Sequence, residues 1–384
     1  MDAQSQNLRV LHVYRTYFPD PPGGLQEAIR QICLASSNFG IESRIFTLSP
    51  NPNPQEINAP EGIIIRRRSW AAPASCDMGG IKSITKFHEL TTWADVIHYH
   101  FPWPFADILH LLAGSNKPSV MTYHSDIVRQ RYLGYIYGPL MRRMMRSMSA
   151  VVATSPAYAK TSPVLTSIVP QNRLRTIPLG IVDYRKDASS NSSSQESLSR
   201  LQLNNAPFLL SLGVLRYYKG LHSLIEAANS IHGTIVIAGS GPEDAHLKDL
   251  AENMGVSNVI FAGQVSNEEK IALLNQCRAL VLPSHLRSEA FGMVLVEAAM
   301  FCKPMVCCEV GSGTSYVNAD GITGFVVAPE SPTEFADACN RLINNEALAT
   351  RMGAAARDRY ERLFSGDALG KAYADLYRDV CSKV

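Results

Sequence analysis

Short runs rich in Val, Ile, Leu and aromatic residues alternate along this chain with longer segments of helical pattern. LRVLHVY (8–14) precedes GLQEAIRQICLASSNFG (24–40), and ESRIFTL (42–48), ADVIHYH (94–100), PSVMTYH (118–124) and SAVVATS (149–155) continue the series. Such alternation predicts βα units and a parallel sheet. The texture breaks at DASSNSSSQESLSR (187–200), which holds almost nothing that could be buried and much that competes for backbone hydrogen bonds. It resumes with FLLSLGV (208–214), GTIVIAG (233–239), SNVIFAG (257–263), RALVLPS (278–284) and KPMVCC (303–308), each leading into a helical segment. The expected fold class is therefore α/β, with two Rossmann-like doubly wound domains at 1–180 and 207–365 joined by an exposed linker at 181–206. A length of 384 residues suits two cores. No short repeat points to a solenoid.

Ligands of such sheets bind beyond the carboxyl ends of the strands. The polar and glycine-rich groups gather at those places: Gly23 and Gly24 after the first run, His98 and His100 ending the third, and HSD (124–126) after PSVMTY. In the second half RYYKG (216–220), GSGPED (239–244) and HLRSEAFG (285–292) do the same. Composition narrows the chemistry. The balance of 36 basic against 34 acidic residues, a formal +2, gives no electrostatic reason for a nucleic-acid partner. Eight cysteines are scattered through apolar segments, and Cys302, Cys307 and Cys308 lack a second cluster at zinc-site spacing, so core thiols in a reducing cytoplasm are expected and no metal site is. The opening residues are too polar for a signal segment, and no apolar run reaches the ~18 residues of a membrane span. A soluble or peripheral protein is expected.

The stretch SEAFGMVLVEAAMFCKP (288–304) carries only two acids, Glu289 and Glu297. Paired hydrolytic carboxyls stand roughly 5–9 Å apart, whereas eight helical steps span about 12 Å. A shared proton is disfavoured. The alternative puts Glu289 in a loop, Phe291 and Gly292 at a turn, and Glu297 inside the helix MVLVEAAM, whose first amides could face a diphosphate. Each acid could then accept hydroxyl hydrogen bonds from a sugar or ribose, though a capping acid and a solvated helix residue fit the same spacing. Arg216 and Lys219 suit a pyrophosphate or are ordinary loop charges. Gly241 of AGSGPED lies outside a full dinucleotide fingerprint, which weakens a nicotinamide-enzyme reading, and RTYFPDPPGG (15–24) lacks that fingerprint too. His124 should reach a sugar hydroxyl at the sheet edge, while His98 reads as a structural histidine. GPLMRRMMRSMS (138–149), with Arg142, Arg143 and Arg146 beside methionines, suits either anionic lipid headgroups or a plain amphipathic helix, and RRR (66–68) is a weaker sign of the same kind.

Taken in order and spacing, GVLRYYKGLHSLIEAA, IAGSGPED, FAGQVSNEEKIALLNQCRALVLPS, SEAFGMVLVEAAMFCKPMV and DGITGFVVAPESP resemble the retaining glycosyltransferases of the GT-B-fold family 4. The resemblance covers most of 207–340. It implies two domains facing across a cleft, and a helix near 366–381, within a segment 366–384, that returns to the first domain. It implies that Glu297 holds ribose hydroxyls and Glu289 the donor sugar. Phe291, Gly292, Met293 and Val294 would present backbone groups to sugar and phosphates. Arg216 and Lys219 would neutralise the diphosphate in place of a divalent metal. His124 would meet the donor sugar, and Gly23, Gly24 and Gly241 would let phosphates or acceptor approach. One departure stands out: the family's Arg directly follows the strand-end Gly, where this chain has Val214, and Arg216 lies two residues on, on the same face of extended backbone. HVYRTYFPDPPGGLQEAI, DVIHYHFPWPFAD and TYHSDI are similar to bacterial O-antigen mannosyl- and rhamnosyltransferases. That implies a GDP-linked hexose donor, a polyprenyl-diphosphate-linked glycan acceptor, peripheral contact with the cytoplasmic face of the inner membrane, and no cofactor beyond the donor. A UDP-sugar transferase, a nucleotide-sugar epimerase and a non-catalytic sugar-nucleotide binder remain as rivals.

Overall fold

The apolar runs become the strands of two sheets. The structure, a computed structural model, describes residues 7–20, 23–72, 76–126, 131–185, 201, 203 and 206–383, with backbone alone for 131–136. Most of the serine-rich stretch that reads as a linker lies outside the described residues. By internal contacts the chain forms one unit of Met1–Val182 with Ser365–Val384, and a second of Asp183–Phe364.

The first unit holds β1 (Leu8–Val13), β2 (Ile41–Ser49), β3 (Glu56–Ala59), β4 (Gly62–Ala71), β5 (Met78–Gly79), β6 (Val96–Phe101), β7 (Ser119–Tyr123), β8 (Ala150–Ala153) and β9 (Leu174–Thr176). Their order is β3-β4-β2-β1-β6-β7-β8-β9, with β5 on β4. The pairings of β3 and β5 with β4 are antiparallel and the others parallel. Strand β4 carries the RRR run, and the reading of that run as a basic surface is corrected at Arg66 alone, since Arg67 is partly exposed and Arg68 exposed. Arg66 is 3% exposed, and its two terminal nitrogens bond Asp20, Ser49 and the carbonyls of Asn51 and Pro54. In the helix Arg131–Ser147, Met144, Met145 and the following Met148 enter the core while Arg142, Arg143 and Arg146 stay exposed. The last helix, Gly366–Cys381, buries Leu369, Tyr373, Ala374, Leu376, Tyr377 and Val380 against the sheet face of Val10, Val96 and Val120. It crosses the helix Gly24–Ser37 at Gly370, where a Cβ would stand 2.2 Å from the Ala35 carbonyl oxygen. Any larger residue would push the two helices apart.

The second unit holds β10 (Phe208–Leu212), β11 (Thr234–Ala238), β12 (Val259–Gly263), β13 (Ala279–Leu282), β14 (Met305–Cys308) and β15 (Gly324–Val327), all parallel, in the order β12-β11-β10-β13-β14-β15. The chain winds outward from β10 in one direction and from β13 in the other. Between these two strands lies the topological switch point, where a crevice opens at the carboxyl edge. Both sheets are covered by apolar clusters, and all eight cysteines are free thiols. Among the described residues no helix is long and apolar enough to cross a membrane.

Candidate functional site

The loops after β10 and β13 flank the switch point of the second unit, and each carries one partner of an ion pair. After β10 the chain runs extended through Arg216 and closes a short 3₁₀ turn, Tyr217–Lys219. After β13, Glu289 ends a loop. Lys219 Nζ lies 2.7 Å from Glu289 Oε2, with 13% and 11% of the two side chains exposed. Ser284 Oγ donates to the same oxygen at 3.4 Å. The other oxygen, Oε1, has no partner among the described residues. Burial works against the Lys219 ammonium, but the pull of Glu289, with Tyr218 and Glu297, outweighs it and lifts the pKa above the ordinary lysine value. Lys219 therefore keeps its charge across the physiological range.

Gly292 closes the Glu289 loop at φ +82, a left-handed conformation open to glycine, and is the N-cap of the helix Met293–Met300. The first intrahelical acceptor serves Leu295, so the amides of Met293 and Val294 precede the ladder, as helix starts require. Phe291 is buried against Phe364 and anchors the turn. One turn further, Glu297 repeats the pattern of Glu289. Its Oε1 accepts from Lys270 Nζ at 2.8 Å and Tyr184 Oη at 3.0 Å, and Oε2 has no partner among the described residues. Each acid is thus fixed by a lysine through one oxygen and can accept ligand hydroxyls through the other.

Lys270 and Tyr184 escape the sequence reading. The helix Asn267–Gln276 starts with a capping box, Ser266 with Glu269, and a cation in its first turns opposes the helix dipole. That misplaced charge is the one signal in the sequence. Its Nζ stands 5.1 Å from the centre of the Tyr184 ring. Val214 and Arg216 are both exposed with Leu215 buried between them, as alternation in extended backbone requires. No ion pair engages Arg216 among the described residues. Gly241 packs against backbone: a Cβ there would stand 2.4 Å from the Leu215 carbonyl oxygen, so the glycine serves the approach of two loops.

Gly23, Gly24 and His124 belong to the first unit. Gly23 is the N-cap of the helix Gly24–Ser37, and nothing stands within 4 Å of where a Gly24 side chain would begin. His124 is 6% exposed and ends a chain of imidazoles. Its Nε2 is 3.0 Å from His100 Nδ1, and His100 Nε2 is 3.1 Å from His12 Nδ1. His98 is structural: its nitrogens bond the hydroxyls of Tyr377 and Thr122 at 2.8 and 2.7 Å. Burial pushes His12 and His124 down to about 3. It also holds His98 and His100 well below the ordinary histidine value, with neighbouring imidazoles adding to the effect. His124 is thus a neutral hydrogen-bonding group at neutral pH.

These histidines make the first unit acid-sensitive. Unfolded, they take up protons below the ordinary value of 6.5, while His12 and His124 stay neutral in the fold down to about 3. Stability is whole above pH 6.5 and is lost as pH falls through that window. The two contribute a slope on the order of 2–3 kcal/mol per pH unit. Denaturant midpoints should therefore drop steeply between about pH 7 and pH 5, and a flat profile would contradict the buried neutral cluster.

Comparison with known proteins places the whole chain among glycosyltransferases. Residues 194–359 match the family described as Glycosyl transferases group 1, and residues 22–184 match Glycosyltransferase Family 4. The chain is 43% identical over 359 residues to the D-rhamnosyltransferase WbpZ of Pseudomonas aeruginosa, covering 93% of this chain and 92% of that one. It is 38% identical over 372 residues to the O-antigen chain mannosyltransferase C of Escherichia coli, covering 96% and 98%. Among solved structures, sucrose-phosphate synthase from Thermosynechococcus elongatus superposes with a TM-score of 0.79 at 22% identity, covering 98% of this chain and all of the other.

Proposed function

The chain belongs to the family 4 glycosyltransferases of GT-B fold, and on that premise we propose that it transfers mannose or a deoxyhexose such as rhamnose from a GDP-linked donor to a growing lipid-linked glycan in O-antigen synthesis. The observation that carries this reading is the pair of lysine-held carboxylates, Glu289 and Glu297, set on either side of a helix start at the switch point. Two grips eight residues apart, one in the loop before the helix and one inside it, with the helix's first amides between them, suit the two ends of a sugar nucleotide and the diphosphate that joins them.

In the proposed reaction Lys219, Arg216 and the amides of Met293 and Val294 meet the diphosphate, and Lys219 exchanges part of its contact with Glu289 for phosphate oxygens. The carboxylate so released can accept hydroxyl hydrogen bonds from the donor sugar. Charge that grows on the leaving diphosphate meets a fixed ammonium and fixed dipoles, the kind of preorganised field that lowers the barrier to bond cleavage. These groups supply the positive charge without calling on a divalent ion at the phosphates. In the first unit His124 is a neutral imidazole that can bond a sugar hydroxyl. The acceptor hydroxyl attacks on the face that the leaving group departs from, its proton passing to the departing phosphate, so the anomeric configuration is kept. Arg142, Arg143 and Arg146 would hold the protein against anionic headgroups that present the acceptor.

Calorimetric titration should give tighter binding of GDP than of UDP. Incubation with a panel of GDP- and UDP-sugars and a polyprenyl-diphosphate-linked acceptor, read by mass and by the product's anomeric configuration, should yield one added hexose or more with retention. Tighter UDP binding, or an inverted product, would overturn the corresponding part of the reading.

A further inference from the structure

We propose that the second unit carries a site for a borderline divalent transition ion, with zinc as its natural probe, formed by His222, His285 and Glu330. One ligand atom of each lies within 4.8 Å of those of the other two. His222 stands in the first turn of the helix Leu221–Ala228, His285 in the loop after β13, and Glu330 in the loop after β15. One helix start and two loops at one sheet edge thus contribute one ligand each, which explains why no zinc-type spacing is visible along the sequence.

His285 gives the independent sign of a ligand. It is 9% exposed, and neither of its ring nitrogens has a hydrogen-bond partner. Buried polar atoms are nearly always satisfied, and an imidazole left with two unsatisfied nitrogens calls for a partner outside the polypeptide. His222 and Glu330 are likewise without a side-chain hydrogen bond among the described residues. The backbone is shaped to bring the three together. Glu330 sits at φ +54, a left-handed conformation that a non-glycine residue holds only when its surroundings demand it. Gly220, at φ +66, is the N-cap that starts the His222 helix, and a Cβ there would stand 2.1 Å from the Pro283 carbonyl oxygen and 3.2 Å from His285 Nδ1. Tyr217 stacks on His222 and sets its ring perpendicular to His285 at 4.9 Å, fixing both imidazole planes.

Two imidazoles and a carboxylate select zinc and its neighbours over magnesium or calcium, whose shells are built from oxygen. Ligand atoms about 2.0–2.1 Å from a tetrahedral ion stand roughly 3.4 Å apart, which small side-chain rotations can reach from separations of at most 4.8 Å. A fourth position stays open for water. The second histidine group, His12, His98 and His100, is no rival, because both ring nitrogens of His98 and of His100 already serve hydrogen bonds. An ion at His222, His285 and Glu330 would join the loop of Lys219 to the loop of Glu289, since the His285 amide already bonds the Tyr218 carbonyl at 3.1 Å. The inference stands apart from the transfer reading, for it concerns a different set of residues and a readout of metal alone.

The test is zinc chloride titration, by calorimetry, of the full chain stripped with chelator and desalted, with the His222→Gln/Glu330→Gln variant alongside. Both substitutions lie on partly or fully exposed side chains, so the variant keeps its fold, as circular dichroism will show. The expected result is about one ion per chain in the parent, a rise in Tm of several degrees, and affinity at least about 100-fold weaker in the variant. Equal zinc uptake by parent and variant, or none by either, would overturn the site. Binding of magnesium as tight as zinc and lost with the same substitutions would overturn the assignment to a transition ion.

Discussion

Lys219→Ala should lower turnover by about 10²–10³-fold at saturating donor, the loss usual for a fixed group that meets charge growing in the transition state. The sequence alone presents Lys219 as a loop charge whose removal spares the fold. The structure changes the second half of that expectation. Lys219 and Glu289 form a nearly enclosed pair at 2.7 Å, so the alanine leaves a carboxylate that is 8% exposed without its counter-ion. Breaking a buried pair from one side costs up to about 3–5 kcal/mol, and some fall in Tm accompanies the lost rate. Two variants separate these effects. Lys219→Met/Glu289→Gln removes both charges and should regain much of the stability while turnover stays lost. Kinetics taken well below the Tm of the weakest variant then report chemistry alone. Full turnover in folded Lys219→Ala would exclude a role at the diphosphate.

Much of this site is legible in the sequence because a parallel sheet leaves little freedom. Each apolar run ends at the same edge, so Lys219 after FLLSLGV and Glu289 after RALVLPS must emerge on one side, and adjacency of β10 and β13 brings them together. Glu297 follows from the turn at Gly292, which stops the two acids sharing one helix. Other residues are hidden for physical reasons. Lys270 reaches Glu297 from a separate helix, and pairing between helices leaves no periodic trace in the chain. His12 lies in the middle of an apolar strand, where a single polar residue cannot announce that His98 stands opposite it on β6 or that the His100 ring reaches its own. Arg66 shows the reverse error: three successive arginines read as surface charge, yet strand alternation turns the first inward to Asp20 and Ser49. Strand β15, four residues after a glycine-rich turn, is too short to stand out as an apolar run.

Glu297→Gln should weaken GDP binding by about tenfold or more while leaving turnover at saturating donor close to that of the parent. The carboxylate accepts from Lys270 and Tyr184 through Oε1, and Oε2, without a partner among the described residues, is the atom proposed to meet the ribose. An amide in its place is neutral and carries one acceptor atom and one donor group. If its oxygen keeps Tyr184, its NH₂ faces the ribose with donors where acceptors are needed; if it turns, the ammonium of Lys270 meets an NH₂ group. Either way a charge-assisted hydrogen bond is lost, worth about 1.5–3 kcal/mol, and each 1.4 kcal/mol is about tenfold in Kd. Ribose hydroxyls do not change during cleavage at the anomeric carbon, so the contact binds ground and transition states alike and its loss appears in KM with kcat spared. That division distinguishes the two acids: Glu289, beside the donor sugar and Lys219, should yield its largest effect in kcat, and Glu297 in affinity. A Glu297→Gln protein that binds GDP within about twofold of the parent, or that loses kcat as Lys219→Ala does, would remove Glu297 from the ribose and make Lys270 and Tyr184 its structural partners alone.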